Sequence, residues 1–312
     1  MKKLSCVLLF AAIFFIEGGA PSHASNFDVT AGIGKLSGDT TYRIGFPFSD
    51  VSGTYEGYFP FSQLEFPLDV YMLSLGGSIE FSDRWKASLT VQTNITNDPG
   101  KMKESDWITE SDPTRLDIFS TSDTDLEAMI WDINLGYTIY RAPKFSFIVG
   151  GGYLHQNFDF KSRLIRQYSP SGLPGYEFTG DGSVSIAYEI TYDIPYIEVG
   201  IQSMINPKFS VEASLGYSPF VTVEDTDQHL LRNKVNRGDL EGDALLFSVE
   251  ARYNIFTNWF LMFGIDYVTI ETDKGNMDAS FNGIYDHTVT EEVESTQTSA
   301  MITVGYAFKK GL

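Results

Sequence analysis

Residues 224–229 read Glu-Asp-Thr-Asp-Gln-His, three carboxylates and an imidazole within six positions. In an extended chain, residues two apart point the same way, so Asp225, Asp227 and His229 fall on one side. An aspartate beside an imidazole fixes its tautomer and holds it as a base. A second acidic stretch, "KMKESDWITESD" at 101–112, places Glu104 and Asp106 two apart before Trp107. Two carboxylates on one side of a strand end can share a proton or grip a water. Taken alone, either stretch also reads as a solvated acidic loop. What decides is whether the chain brings them together.

The chain has four histidines, of which His23 lies in an N-terminal leader. None of the others, His155 and His287 included, stands at ligand spacing to His229, so neither metal nor cofactor is expected. The leader runs Lys2-Lys3, an apolar stretch from Leu4 to Ile16, then small residues ending in Ser22-His23-Ala24. This pattern reads as a secretory signal peptide over 1–24, too short to span a bilayer, and leaves one domain over 25–312. The single cysteine, Cys6, lies inside it, so the remainder has no disulfide and no thiolate metal site. The leader carries Lys2, Lys3 and Glu17, a net +1. Its removal takes the formal charge from −19 to −20. So acidic a surface argues against nucleic acid and favours cationic ligands.

Composition and periodicity define the elements that must position the acids. With 24 Phe, 17 Tyr and 28 Gly, the chain is rich in strand formers and turn residues. Beyond the leader, no run of 18 apolar residues suggests a spanning helix. Alternation with period two recurs instead, as in Met129, Trp131, Ile133, Leu135 and Tyr137 against Asp132, Asn134, Gly136 and Thr138. Ten strands are expected, near 26–36, 62–81, 85–96, 126–140, 145–160, 184–203, 208–223, 244–255, 259–271 and 297–308. Short turns at 82–84, 141–144, 206–208 and 256–258 alternate with long polar segments near 37–61, 97–125, 161–183, 224–243 and 272–296. Aromatics flank the short turns: Trp85, Tyr140, Phe145, Phe209, Phe256 and Trp259. An even strand count, short turns on one side, long segments on the other and an aromatic girdle describe an all-β, ten-stranded antiparallel outer-membrane barrel with long extracellular loops. A secreted sandwich shares the alternation but not the turn asymmetry.

Read in order, "GIGKLSGDTTYR" (32–43), "KMKESDW", "SDTDL" (122–126), "GGGYLHQNFDF" (150–160), "DIPYIEVG" (193–200), "EDTDQH" and "DKGN…YDH" (273–287) resemble the omptins. These are ten-stranded outer-membrane aspartyl-type endopeptidases of Gram-negative bacteria. The resemblance implies an acid pair, Glu104 and Asp106, facing an Asp227–His229 pair across the barrel mouth. His229 would activate a water, oriented by Asp227. Glu104 and Asp106 would position that water or stabilise the tetrahedral intermediate, and no acyl-enzyme forms. Glu104 stands where omptins usually have aspartate. The resemblance further makes Asp225 one wall of a pocket for a basic side chain, with Tyr42 at the position of the second acid. It makes Tyr153 a lipopolysaccharide contact, with His155 and Asn157 replacing a carboxylate and an arginine; the basic run of Arg232, Lys234 and Arg237 offers phosphate contacts of its own. Lipopolysaccharide is then expected as an activity requirement, cationic peptides or proteins as substrates, and a monomer as the working unit. The rival functions are a catalytically weak barrel acting as an adhesin and a passive pore. The pore is disfavoured because Lys86, Glu198, Glu250 and Arg252 crowd a narrow interior.

Overall fold

Apolar residues at every second position bury one strand face and expose the other, and that alternation organises the chain. The computed structural model describes residues 26–308; the stretch 1–24 expected as a signal peptide and the final Lys-Lys-Gly-Leu lie outside the described residues. The strands are β1 (Asn26–Asp50), β2 (Gly53–Tyr55), β3 (Ser62–Pro67), β4 (Val70–Glu80), β5 (Trp85–Asn94), β6 (Gly100–Asp106), β7 (Ile118–Arg141), β8 (Phe145–Tyr168), β9 (Phe178–Thr179), β10 (Ile186–Asn206), β11 (Phe209–His229), β12 (Lys234–Asn254), β13 (Trp259–Thr272), β14 (Gly275–Phe281) and β15 (Ile284–Phe308).

The antiparallel sheet closes on itself. Its lower ring runs β1-β4-β5-β7-β8-β10-β11-β12-β13-β15 and returns to β1 through Phe27–Phe308 pairing. In the upper ring β3, β6 and β14 take the places of β4, β5 and β13, again ten strands around. At Gly38 β1 exchanges β4 for β3 as its partner. There φ is +130°, and a Cβ would lie 1.9 Å from the Thr296 carbonyl oxygen, so only glycine fits.

All ten expected segments form strand, 62–81 as two, β3 and β4, broken at Leu68-Asp69, and the short connections fall where the turn residues place them. The long polar segments differ from expectation. Much of 37–61, 97–125, 224–243 and 272–296 is strand, because polar alternation continues the ladder once both faces have left the apolar belt. Strand β15 shows the change along one outward face. Ala300, Ile302, Val304, Tyr306 and Phe308 face out below, while Glu292, Glu294, Thr296 and Thr298 face out above. Arg43 of β1 bridges Glu292 and Glu294 on that upper outer surface.

Inside, the upper ring is filled. Tyr42, Phe66, Phe158, Phe160, Tyr188 and Tyr192 are among the most deeply buried side chains. Phe66 lies 4.6 Å from Tyr188 and 4.9 Å from Phe160, centroid to centroid. Beneath them Gln156 and Gln297 exchange hydrogen bonds of 2.7 and 2.8 Å across the ring. Lower still is a polar cavity of about 570 Å³ lined by Lys86, Glu198, Glu212 and Glu250 among others. Each buried ring contributes roughly 1.5–3 kcal/mol. The aromatic layer thus forms a rigid floor and separates the cavity from everything above it.

Candidate active site

The acidic residues of β11 face inward because of one extra residue. Lower on this strand Leu215 and Tyr217 are exposed, and continued alternation would turn every odd-numbered residue outward. Between Ser218 and Val221, β11 advances three residues while β12 advances two, from Ala244 to Gly242. This bulge, at Pro219-Phe220, reverses the phase. Val221, Val223, Asp225 and Asp227 then point into the ring and are buried. His229 is the last residue of the strand, not a loop residue, and keeps the same side.

Asp227 is fully buried and its Oδ2 is heavily used. It lies 2.9 Å from His229 Nε2, and it accepts the Tyr42 hydroxyl at 2.7 Å and the Asn236 amide at 3.0 Å. Burial pushes its pKa up, but the bonds from His229, Tyr42 and Asn236 outweigh that and hold it below the usual carboxylate value. His229 Nδ1 meets Arg232 Nη2 at 2.6 Å. Arginine can only donate, so Nδ1 carries the lone pair and Nε2–H faces Asp227. Nδ1 is therefore the basic atom of the imidazole, and Arg232 covers it.

Across the ring, Glu104 and Asp106 stand on β6, paired with Leu64 and Ser62 of β3. Ser120 Oγ donates to Glu104 Oε2 at 3.0 Å. Burial and the charge of Asp106 raise the Glu104 pKa to about 7, against the pull of His229 and Ser120. Asp106 is also raised by burial, with Ser62 and Arg232 drawing it down. The carboxyl pair and the Asp–His pair therefore act on one another through the same space. The structure brings Glu104, Asp106, Asp227 and His229 together.

Two expectations change. Tyr42 is 1% exposed and bonded to Asp227, so its hydroxyl buttresses the Asp–His pair instead of lining a pocket. The three lipid-contact candidates also separate. Tyr153 faces outward on β8, donates to Asp193 at 2.7 Å and stacks on Trp131 at 5.4 Å, beside His155. Arg232 and Lys234 sit at the mouth instead. Arg232 touches His229, and Lys234 faces Asp227 and Glu104, its pKa lowered chiefly by burial. The turn after β11 folds these cations inward, away from the outer wall.

Sequence reasoning missed Asn236, Tyr188 and Glu291. Asp225 is 4% exposed, and its Oδ1 accepts the Gly238 amide at 2.9 Å. Glu291 of β15 is fully buried beside it. Carrying the alternation of β15 back from Met301 through Ser299, Gln297, Ser295 and Val293 reaches Glu291 on the inward face. Ending the expected strand at 297 hid that signal.

A tall closed ring with an apolar belt, a corked interior and facing acid and Asp–His pairs defines an outer-membrane β-barrel of the protease kind. The model of the omptin family matches residues 23–309, and the chain belongs to that family. No curated protein sequence matches the chain. Among solved structures it is similar to outer membrane protease OmpT from Escherichia coli, with 20% identity and a TM-score of 0.76, covering 91% of this chain and 97% of that one. It is more distantly similar to the outer membrane protein OprG from Pseudomonas aeruginosa, with 11% identity and a TM-score of 0.40, covering 92% of this chain and 98% of that one.

Proposed function

We propose that this barrel spans the outer membrane and hydrolyses peptide bonds at its exterior mouth, using a water activated by His229. The observation that carries this reading is the set of bonds on Asp227, which leaves His229 Nδ1 as the basic atom. A water between His229 and the Glu104–Asp106 pair gives its proton to Nδ1 as its oxygen attacks the scissile carbonyl carbon. Asp227 accepts Nε2–H and stabilises the imidazolium. Glu104, which keeps its proton to about pH 7, donates to the developing oxyanion, while Asp106 holds the water. When the carbon–nitrogen bond breaks, the imidazolium returns the proton to the leaving amine. No covalent intermediate and no cofactor take part.

The acidic chain favours cationic peptides or proteins as substrates. The apolar outward belt suits lipid below the ion-paired rim, and the Trp131–Tyr153–His155–Asp193 surface suits a lipopolysaccharide headgroup. A monomer suffices, since the site lies within one ring. The test is a mixed peptide library incubated with refolded protein, with and without lipopolysaccharide, and read by mass spectrometry. Cleavage by wild type and none by His229→Ala is the expected result. Binding of cationic peptides without any cleavage would leave the adhesin reading standing instead.

A further inference from the structure

We propose, on the peptidase reading above, that Lys234 is a further catalytic residue, whose ammonium donates to the oxyanion that forms on the scissile carbonyl. Its place follows from the ladder. The β11–β12 pairing ends at the mouth with His229 opposite Lys234, and the next inward pair is Asp227–Asn236. Residues two apart on a strand share a side, and Asn236 reaches inward to donate to Asp227 at 3.0 Å. Lys234 therefore leaves β12 on the side that carries the base. The connecting turn is pinned. Asn233 takes the left-handed conformation at φ 51°, and its carbonyl accepts the Asn282 amide at 3.0 Å. Lys234 also pairs with Phe281 of β14, whose ring centre lies 5.9 Å from the ammonium. The ammonium faces Asp227, Glu104, Arg232 and Asp286, yet among the described residues no hydrogen bond or ion pair holds it.

The reaction calls for such a charge. Attack by water sends one proton to His229 Nδ1 and moves the carbonyl π electrons onto oxygen. The new imidazolium is matched by Asp227, whose carboxyl is held below the usual carboxylate value. The oxyanion is left beside the Glu104–Asp106 pair, where a further negative charge is repelled. Glu104 gives it one hydrogen bond. Arg232 is engaged at Nδ1 until the water replaces it. Lys234 supplies the offsetting charge on a flexible stem with rotatable donors. When the carbon–nitrogen bond breaks the carbonyl re-forms, and the ammonium keeps its proton throughout. Burial lowers the Lys234 pKa against the pull of Asp227; Arg232 adds to the fall, and Asp286 and Glu104 oppose it. The acting, charged form is therefore lost at lower pH than in a free lysine.

The experiment is steady-state kinetics of refolded Lys234→Met and Lys234→Arg across neutral and alkaline pH, on a library peptide that wild type cleaves, with His229→Ala beside them. Loss of one oxyanion donor costs about 10²–10³-fold in kcat, so Lys234→Met should lose about a hundredfold. Its KM should stay level or fall, because a more acidic mouth attracts cationic peptides more strongly. Wild-type kcat should decline on the alkaline side, below the ordinary lysine value of about 10.4. Lys234→Arg should recover most of the rate without that decline, since a guanidinium stays charged. A phosphinic analogue of the peptide, a fixed tetrahedral anion, should bind Lys234→Met at least about tenfold more weakly than wild type, while the parent peptide binds both alike. Heat-modifiable migration verifies that each variant folds. A lysine that merely offsets the acids of the mouth would move KM and leave the alkaline decline in Lys234→Arg. That result, or a Lys234→Met kcat within about threefold of wild type, overturns the assignment; an inactive His229→Ala then leaves the peptidase reading standing. A wild type that cleaves nothing ends both.

Discussion

The Tyr42 hydroxyl and His229 Nε2 share one acceptor, Asp227 Oδ2, at 2.7 and 2.9 Å. Tyr42 is thereby a positioning residue for the base. Tyr42→Phe removes one charge-assisted bond of about 1.5–3 kcal/mol, and with it part of what keeps the Asp227 pKa low. A carboxylate with a depressed folded pKa stabilises the fold above its unfolded value and loses that contribution as pH falls through the folded one. In Tyr42→Phe the folded value rises, so activity and stability should both be lost at higher pH on acidification. A pH–rate profile reads this directly. An acid limb identical to that of wild type, at any reduced rate, would show that the hydroxyl only packs.

Loss of the base itself should be more severe. General base catalysis contributes roughly 10²–10⁴-fold, so His229→Ala should cut peptide cleavage by at least a hundredfold. Asp227 keeps Tyr42 and Asn236 as donors, so the variant should still migrate as a folded, heat-modifiable band. Cleavage within a few fold of wild type would remove His229 from the mechanism.

Arg232 occupies the nitrogen that must take the proton, at 2.6 Å from His229 Nδ1. It has to leave before a water can be activated. Arg232→Ala should therefore raise kcat/KM for short peptides severalfold when lipopolysaccharide is absent. If the variant instead loses rate only when lipopolysaccharide is present, Arg232 serves the lipid and not the base.

The ten strands were legible in the sequence because period two survives burial on either face, whereas the four facing residues were expected only from the resemblance to the omptins. Phase was not legible. Tyr217 faces out and Asp225 faces in, although both are odd-numbered, because the single extra residue at Pro219-Phe220 intervenes. Nothing in the types of those two residues announces it beyond a proline that cannot join a ladder. Partnerships across the ring were equally hidden. Glu291 meets Asp225 only because β15 and β12 border β14, and Tyr42 reaches Asp227 through the closed interior. Such contacts belong to the closure of the sheet and not to any local pattern.

Closure itself makes a prediction independent of the chemistry. With every long strand paired on both sides and the interior filled by rings such as Phe66, refolded protein should resist SDS unless heated. Phe66→Ala, which empties a fully buried position in the floor, should cost about 3–5 kcal/mol and lower the temperature of that transition. Electrophoresis after graded heating measures it. A chain that unfolds in SDS at room temperature is not this barrel.

The buried Asp225–Glu291 pair should leave its mark on stability. A carboxyl that holds its proton more tightly in the folded state stabilises the fold at low pH. That contribution is lost as pH rises from the unfolded pKa, about 4.3 for glutamate, toward the folded one. Asp225 is pushed up to about 6, and Glu291 higher still, first by burial and then by Asp225. Wild type should accordingly weaken between about pH 4 and neutrality, the reverse of what its ion-paired carboxylates would give. Glu291→Gln keeps the shape and removes the buried group whose ionisation weakens the fold. At pH 8 the variant should therefore unfold at a higher temperature than wild type, and the gap should close toward pH 5. Should Glu291→Gln prove less stable at pH 8, the glutamate is ionised and held by a partner, and its raised pKa is wrong.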